Sequence, residues 1–161
     1  MDLNFEYLRI YFDGGSRGNP GPSAVGAAIY DKNSNLIDEL SECIGEFTNN
    51  QAEYLALEKV LDLVKKYKIK YNIRKIILST DSKLVYSQLK GLWKVKNIDI
   101  LEIFKRVVKK LKDYEVVDLR LIPREDNKAA DKLVNRALDK KDRLFNADSE
   151  INFGNVDEQK Y

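Results

Sequence analysis

Residues 9–22 read Arg9-Ile10-Tyr11-Phe12-Asp13-Gly14-Gly15-Ser16-Arg17-Gly18-Asn19-Pro20-Gly21-Pro22. An apolar strand runs into a carboxylate, and the carboxylate runs into glycine and proline. Five of the eight glycines fall between Gly14 and Gly26, and Pro20 and Pro22 are two of the three prolines. The backbone is therefore expected to bend where it leaves the strand. An acid at the carboxyl end of a strand is where an open α/β sheet places a reactive group. Taken alone, Asp13 reads more plainly as the acceptor of an Asx-type turn. The rest of the chain decides between the two.

Leu8 to Phe12 is apolar on both sides, as in a central strand covered on both faces. Ala24 to Tyr30 reads as a second strand of small residues, in which Gly26 suggests close approach by a neighbour. Turn chemistry from Asp31 to Asn35 leads into a third extended run, Leu36 to Ile44, so the first three strands read as antiparallel neighbours. Phe47 to Glu53 is a helix start, with capping-box spacing for either Thr48 with Gln51 or Asn50 with Glu53. Ala52, Leu55, Ala56, Val60, Leu63 and Val64 form the apolar stripe of that helix. Lys75 to Asp81 is a buried strand that also ends in an acid. A short helix from Ser82 to Leu89, a loop around Trp93, an amphipathic helix from Ile98 to Leu111 and a strand from Val116 to Ile122 follow. Asp126 or Asn127 caps a last helix with Ala130, Leu133, Val134, Ala137 and Leu138 on its apolar face. Strand–helix alternation after three antiparallel strands gives an α/β fold: a five-stranded mixed sheet, strands 1–3 antiparallel and 4–5 parallel, flanked by helices.

The apolar period fails from Asp139 onward. Residues 1–140 are read as the folded domain and 141–161 as a C-terminal tail, partly ordered or docked on the body through Phe145, Ile151 or Phe153. With 161 residues and 43% hydrophobic content, the chain can bury one sizeable core. No run reaches membrane-spanning length, and the acidic start, Met1 to Glu6, carries no signal or transit pattern. The single cysteine, Cys43, fits a reducing compartment, so a cytoplasmic location is expected, with no membrane association and no obligate protein partner. Histidine is absent, which excludes Ser-His and Cys-His nucleophiles and most zinc sites. The net charge of +2 argues only weakly for a polyanionic partner.

Four acids now stand at element ends: Asp13 and Asp81 at strand ends, Glu53 and Asp131 in first turns of helices. Parallel neighbouring strands would bring Asp13 and Asp81 to one sheet edge. Each acid has a plainer explanation: Glu53 in a capping box, Asp81 as a helix cap, Asp131 as a first-turn acid favoured by the helix dipole. Four together at one edge would repel one another unless cations held them. Oxygen ligands without histidine or cysteine select Mg²⁺ or Mn²⁺. Two such ions about 4 Å apart serve in-line displacement at phosphorus.

These residues carry a resemblance. FDGGSRGNPGPSAVGAAIY at Phe12–Tyr30, FTNNQAEYLAL from Phe47, LSTDSKLV from Leu78 and NKAADKLVNRAL from Asn127, in that order, resemble type 1 ribonuclease H over roughly Arg9 to Leu138. The archaeal and small bacterial members look closest. The resemblance implies a two-metal endoribonuclease that cuts the RNA strand of RNA–DNA hybrids, leaving 5′-phosphate and 3′-hydroxyl ends. It implies that Asp13, Glu53, Asp81 and Asp131 hold two Mg²⁺ ions (Mn²⁺ being possible), with Asp13 bridging. It places Gly14, Gly15 and Asn19 near the RNA strand. Thr48 and Asn127 match positions that hold a phosphate of the DNA strand. Asn49, Asn50 and Gln51 match the minor-groove segment, and amide side chains there can recognise 2′-hydroxyls. A monomer is expected.

The chain departs from the family in two places. A loop histidine carried by many relatives is missing between the last strand and last helix, where Glu125 is the candidate for its place and Arg124 a candidate phosphate contact. A basic insert that grips hybrid in some relatives is reduced to Trp93, Lys94 and Lys96. Trp93 reads equally as a sugar-packing residue or as core. No separate hybrid-binding domain is seen before the body, so modest affinity and steep salt dependence are expected. Three rivals fit less well. A non-catalytic binder on the same fold would not need four acids, an actin-like phosphotransferase would need a second domain, and an integrase-type relative would lack the TNNQAE and NKAAD segments.

Overall fold

The computed structural model describes residues 2–158. Strands β1 (Tyr7–Ser16), β2 (Gly21–Tyr30) and β3 (Leu36–Phe47) come first. They are followed by α1 (Asn49–Tyr71), β4 (Lys75–Thr80), α2 (Lys83–Leu89), α3 (Ile98–Leu111), β5 (Val116–Leu121), a 3₁₀ turn at Arg124–Asp126, and α4 (Lys128–Glu158). The sheet order is β3-β2-β1-β4-β5. β1 pairs antiparallel to β2 and β2 to β3, while β4 is parallel to both β1 and β5. This is the mixed sheet that the sequence predicts.

One sheet face is the core. Leu8, Ile10 and Phe12 of β1 alternate into it and meet Tyr54, Leu57, Val60, Leu61 and Val64 of α1 and Ile103 and Val107 of α3. The stripe predicted for α1 is one part of what that helix buries. Ala52, Ala56, Val60 and Val64 are buried, but so are Tyr54, Leu57 and Leu61, while Leu55 and Leu63 are half-buried. α1 lies between the sheet and α3, so it buries two sides rather than one.

Glu58 is the acid in that second interface. It accepts bonds from Arg106 Nε at 2.7 Å and Nη2 at 3.0 Å and from Lys110 Nζ at 3.1 Å. Arg106 first, and Lys110 with it, outweigh burial and hold the Glu58 carboxyl below its usual range. Glu58→Gln should cost about 1–2 kcal/mol. The wild-type advantage should be full above the ordinary glutamate pKa and vanish as pH falls below it. Melting temperatures of both proteins between pH 3 and 7 check this, and a gap independent of pH would contradict it.

The opposite face of β1 is not the covered apolar surface that the sequence suggested. It carries Tyr7, Arg9, Tyr11 and Asp13, the first three half-buried. α4 packs only on the Asp13 end, through a small cluster of Ala24, Val134, Ala137 and Leu138 with Cys43 beside it. The close neighbour expected at Gly26 is α4: a Cβ there would lie 2.4 Å from the Ala130 carbonyl oxygen.

Two boundaries differ from the sequence reading. β1 does not bend at Asp13. Its pairing with β2 continues to Ser16 opposite Ser23, and the chain turns only after Arg17. α4 does not stop near residue 140 but continues as helix to Glu158. Leu138 is the last α4 residue in the apolar cluster on the sheet, so the apolar period ends there while the helix continues. Arg17 anchors the start of this extension through Asp139 and Asp142, each at 2.6 Å. Phe145 is 70% exposed; the side chains of Ile151 and Phe153 lie outside the described residues.

Candidate active site

Strand register builds the site. Tyr11 pairs with Ser79 across the parallel β1–β4 ladder, so Asp13 and Asp81, two residues further along each chain, come side by side. Asp81 is free for this because Ser82 caps α2, its hydroxyl accepting from the Val85 amide at 3.2 Å.

Glu53 arrives from α1. The capping box is Thr48 with Gln51: Gln51 N donates to Thr48 Oγ1 at 3.2 Å, and Thr48 N to Gln51 Oε1 at 2.9 Å. Glu53 is therefore released from capping and instead accepts from the Gly14 amide at 3.3 Å. This contact depends on Gly14 having no side chain. A Cβ would lie 2.1 Å from the Ala52 carbonyl oxygen, so the first turn of α1 sits directly on β1.

Oxygens of Asp13, Glu53 and Asp81 all lie within 4.8 Å of one another. Asp131, in the first turn of α4, lines the same cleft of about 490 Å³ but stands outside this tight cluster. Gly14, Gly15, Ser16, Arg17, Asn49, Arg124 and Asn135 also line the cleft. Among the described residues no lysine or arginine pairs with any of the four acids. Arg17 reaches the wall but is occupied by Asp139 and Asp142.

The acids repel one another in a partly dry site. Burial first, then the charges of Asp81 and Asp131, push Asp13 up to about 7, with hydrogen bonds from Glu53 and the Gly14 amide opposing. Burial, followed by the charges of Asp13 and Asp81, holds Glu53 well above the usual carboxylate range. A carboxyl raised in the folded state binds its proton more tightly there than in the unfolded chain. Stability of the metal-free protein should therefore fall as pH rises from about 4 through about 7. A divalent cation should raise the melting temperature more at pH 8 than at pH 5; equal shifts at the two pH values would contradict this. The donor set fits such an ion: clustered hard oxygens, no partner cation and no soft ligand.

Asn127, which the resemblance implies holds a phosphate, is buried beside the acids. Its side chain is 1% exposed. Its amide donates to the Phe12 carbonyl at 3.0 Å and to Asp81 Oδ2 at 3.2 Å. It ties α4 to β1 and orients Asp81. Its Oδ1 is buried without a partner among the described residues.

The other predicted residues separate into groups. Asn49 Oδ1 accepts from Ser16 N at 3.0 Å and Asn49 N donates to Asn19 Oδ1 at 3.1 Å, which pins the 17–20 turn to α1. Asn50 is exposed and outside the cleft wall. Thr48 and Gln51 are half-buried, and the Thr48 hydroxyl and amide both bond the Gln51 side-chain oxygen. Arg124 enters the cleft wall and Glu125 does not. Trp93 is not core: it is 45% exposed, with Lys83 Nζ 5.8 Å from its ring centroid, in a separate cavity with Leu84, Gln88, Lys94 and Lys96. Sequence reasoning missed Arg17 and Asn135 in the wall. Neither has a local signal, since both are placed by the α4–β1 packing.

A mixed sheet in this order, with acids on adjoining parallel strand ends and on the first turns of two flanking helices, defines the ribonuclease H-like class of α/β domain. Comparison with known proteins agrees. The reverse transcriptase-like family model matches residues 11–137. Ribonuclease HI of Halobacterium salinarum is 39% identical over 132 residues, covering 82% of this chain and 64% of that protein. The bifunctional protein Rv2228c of Mycobacterium tuberculosis is 37% identical over 131 residues, 81% of this chain but 35% of its own length. This chain thus spans about a third of the mycobacterial relative and under two thirds of the halobacterial one. The structure of LC11-RNase H1 in complex with RNA/DNA hybrid superposes with TM-score 0.79 at 38% identity, over 83% of this chain and 98% of that one. The chain belongs to the ribonuclease H family, as a type 1 member.

Proposed function

We propose that this chain is a divalent-metal-dependent endoribonuclease that hydrolyses the RNA strand of RNA–DNA hybrids, giving 5′-phosphate and 3′-hydroxyl ends. The observation that carries the reading is the cluster of Asp13, Glu53 and Asp81, with which no lysine or arginine pairs among the described residues. Mg²⁺ or Mn²⁺ held by these acids, with Asp131 completing a second position, would supply an activated water and stabilise the leaving oxygen.

The remaining work belongs to the chain. The Gly14 amide holds Glu53, and Asn127 holds Asp81 while anchoring it to β1. The backbone from Gly14 to Ser16 forms one wall of the cleft, where small residues let a sugar–phosphate strand approach. Asn49 in the cleft wall and the exposed Asn50 next to it present amides suited to 2′-hydroxyls, and Asn19 fixes the turn beside them. Among the described residues Arg124 offers the wall cation not already in an ion pair, suited to a phosphate. At the start of α1 the Asn49 and Gln51 amides are taken by Asn19 and Thr48, which leaves the Asn50 amide for a further phosphate contact. Glu125 lies outside the wall and is not required for turnover in this reading.

The protein is further proposed to act as a cytoplasmic monomer, with residues 1–140 as catalytic body and the rest of α4 as an appendage. No helix among the described residues is long and apolar enough to cross a membrane. The test is incubation of end-labelled RNA–DNA hybrid, RNA–RNA and DNA–DNA duplexes with Mg²⁺ or Mn²⁺. Internal cleavage of RNA in the hybrid is expected, and an intact hybrid with both metals would sink the reading.

A further inference from the structure

The cleft is short of positive charge, since Arg17 is occupied and the basic insert of some relatives is missing. Positive charge is concentrated elsewhere on α4. Lys128, Lys132, Arg136 and Lys140 recur every fourth residue and Arg143 continues the line, so they share one ridge of the helix. At 1.5 Å per residue the ridge is about 22 Å long. All five side chains are exposed. The first three line a groove with Leu36 and Glu39 of β3; Arg136, Lys140 and Arg143 line the next, beside Glu42 and Cys43.

Among the described residues none of the five forms an ion pair. Glu42 is taken by Lys59 at 3.1 Å, and Glu39 is in no ion pair among the described residues. The acids of the same segment are engaged elsewhere: Asp131 lines the cleft, and Asp139, although four residues before Arg143, pairs with Arg17, as does Asp142. The basic side chains over β3 are thus left without an acid partner among the described residues. An ordinary solvated face intersperses charges and gains from pairs four residues apart, whereas like charges at that spacing destabilise the helix. A polyanion laid along the ridge would reverse that cost.

We propose that the α4 ridge is a second contact line for the phosphate backbone of the hybrid, on the helix that also carries Asp131. This rests on the proposed hybrid substrate. The experiment measures hybrid binding by the full chain in EDTA across a salt series, and KM and kcat with Mg²⁺. It compares wild type, Lys132→Glu/Arg136→Glu/Lys140→Glu, and a control of equal charge change, Lys65→Glu/Lys105→Glu/Lys109→Glu.

The ridge variant should bind at least about tenfold more weakly near 0.1 M salt. Its slope of log affinity against log salt should be shallower by roughly 2–3, at about 0.9 or less for each phosphate that is no longer neutralised. KM should rise with kcat within about twofold, and the control should change far less. A Lys132→Gln/Arg136→Gln/Lys140→Gln variant guards against misfolding and should show a smaller shift in the same direction. An unchanged slope in both ridge variants would overturn the proposal, as would equal losses in ridge and control variants. Intact hybrid binding with lost adsorption to phosphatidylserine vesicles would overturn it in favour of an anionic membrane surface. Wild type that fails to cleave hybrid sinks the functional reading itself; wild type that cleaves while the ridge variants keep its salt slope sinks only the ridge.

Discussion

Asp13→Asn is expected to lower hybrid cleavage by about 10³-fold or more, roughly 4 kcal/mol of lost transition-state stabilisation. Asp13 is the most buried of the four acids, at 7% exposed, and Asp81, Glu53 and Asp131 all act on its charge. Asparagine keeps the shape and removes the charge. It leaves Glu53 an oxygen to bond, so the fold should persist. Without metal at pH 8 the variant should melt at or above wild type, because repulsion among the acids is relieved. The gain should disappear near pH 4, where Asp13 is already protonated. Cleavage assays paired with melting curves at both pH values separate a lost reaction from a lost fold. Activity within tenfold of wild type would remove Asp13 from the centre of the site.

Gly14→Ala is expected to be nearly as damaging, by a different route. The new Cβ would meet the Ala52 carbonyl oxygen at 2.1 Å and the Glu53 amide nitrogen at 2.5 Å. Both are backbone atoms of α1 and cannot rotate away. α1 must move off β1, which costs about 3 kcal/mol or more, a melting-temperature loss of roughly 6–12 °C in a domain of this size. Glu53 moves with the helix, so metal-induced stabilisation should shrink too. Gly15→Ala is the comparison: its Cβ would approach only Val134 Cγ1, at 3.2 Å, a side chain that can shift by a few tenths of an ångström. Equal stability of the two variants would contradict the packing role given to Gly14.

That glycine marks where sequence reading reached and where it stopped. Two glycines after an acid suggest a turn or an approach by substrate. The strand in fact continues through them, and the first demand on Gly14 is internal, made by a helix 38 residues later in the chain. Gly26 was legible as a close approach, but not that α4 makes it. The cap of α1 was ambiguous because Thr48-Gln51 and Asn50-Glu53 share one spacing. Only the fold showed that the first pair caps and the second is released. Asn127 was visible as a helix-start residue, yet its burial against Phe12 and Asp81 depends on a contact across 115 positions. The extension of α4 has no signal in the apolar period, which ends with Leu138, the last α4 residue in the cluster on the sheet.

The sequence by itself determined the strand and helix order, the mixed sheet and the four acids, since hydrophobic period, turn chemistry and missing histidine are local or compositional. It also placed Asp13 and Asp81 on one edge, because parallel neighbours set strand ends together. The tertiary structure alone decided that three of the acids form a tight cluster with Asp131 outside it, and that Asn127 bonds Phe12 and Asp81. It also decided that Arg17 is spent on Asp139 and Asp142 of α4, which leaves the basic ridge of that helix without an acid partner among the described residues. Each of these depends on how closely two distant backbones approach, which packing sets and no local pattern encodes.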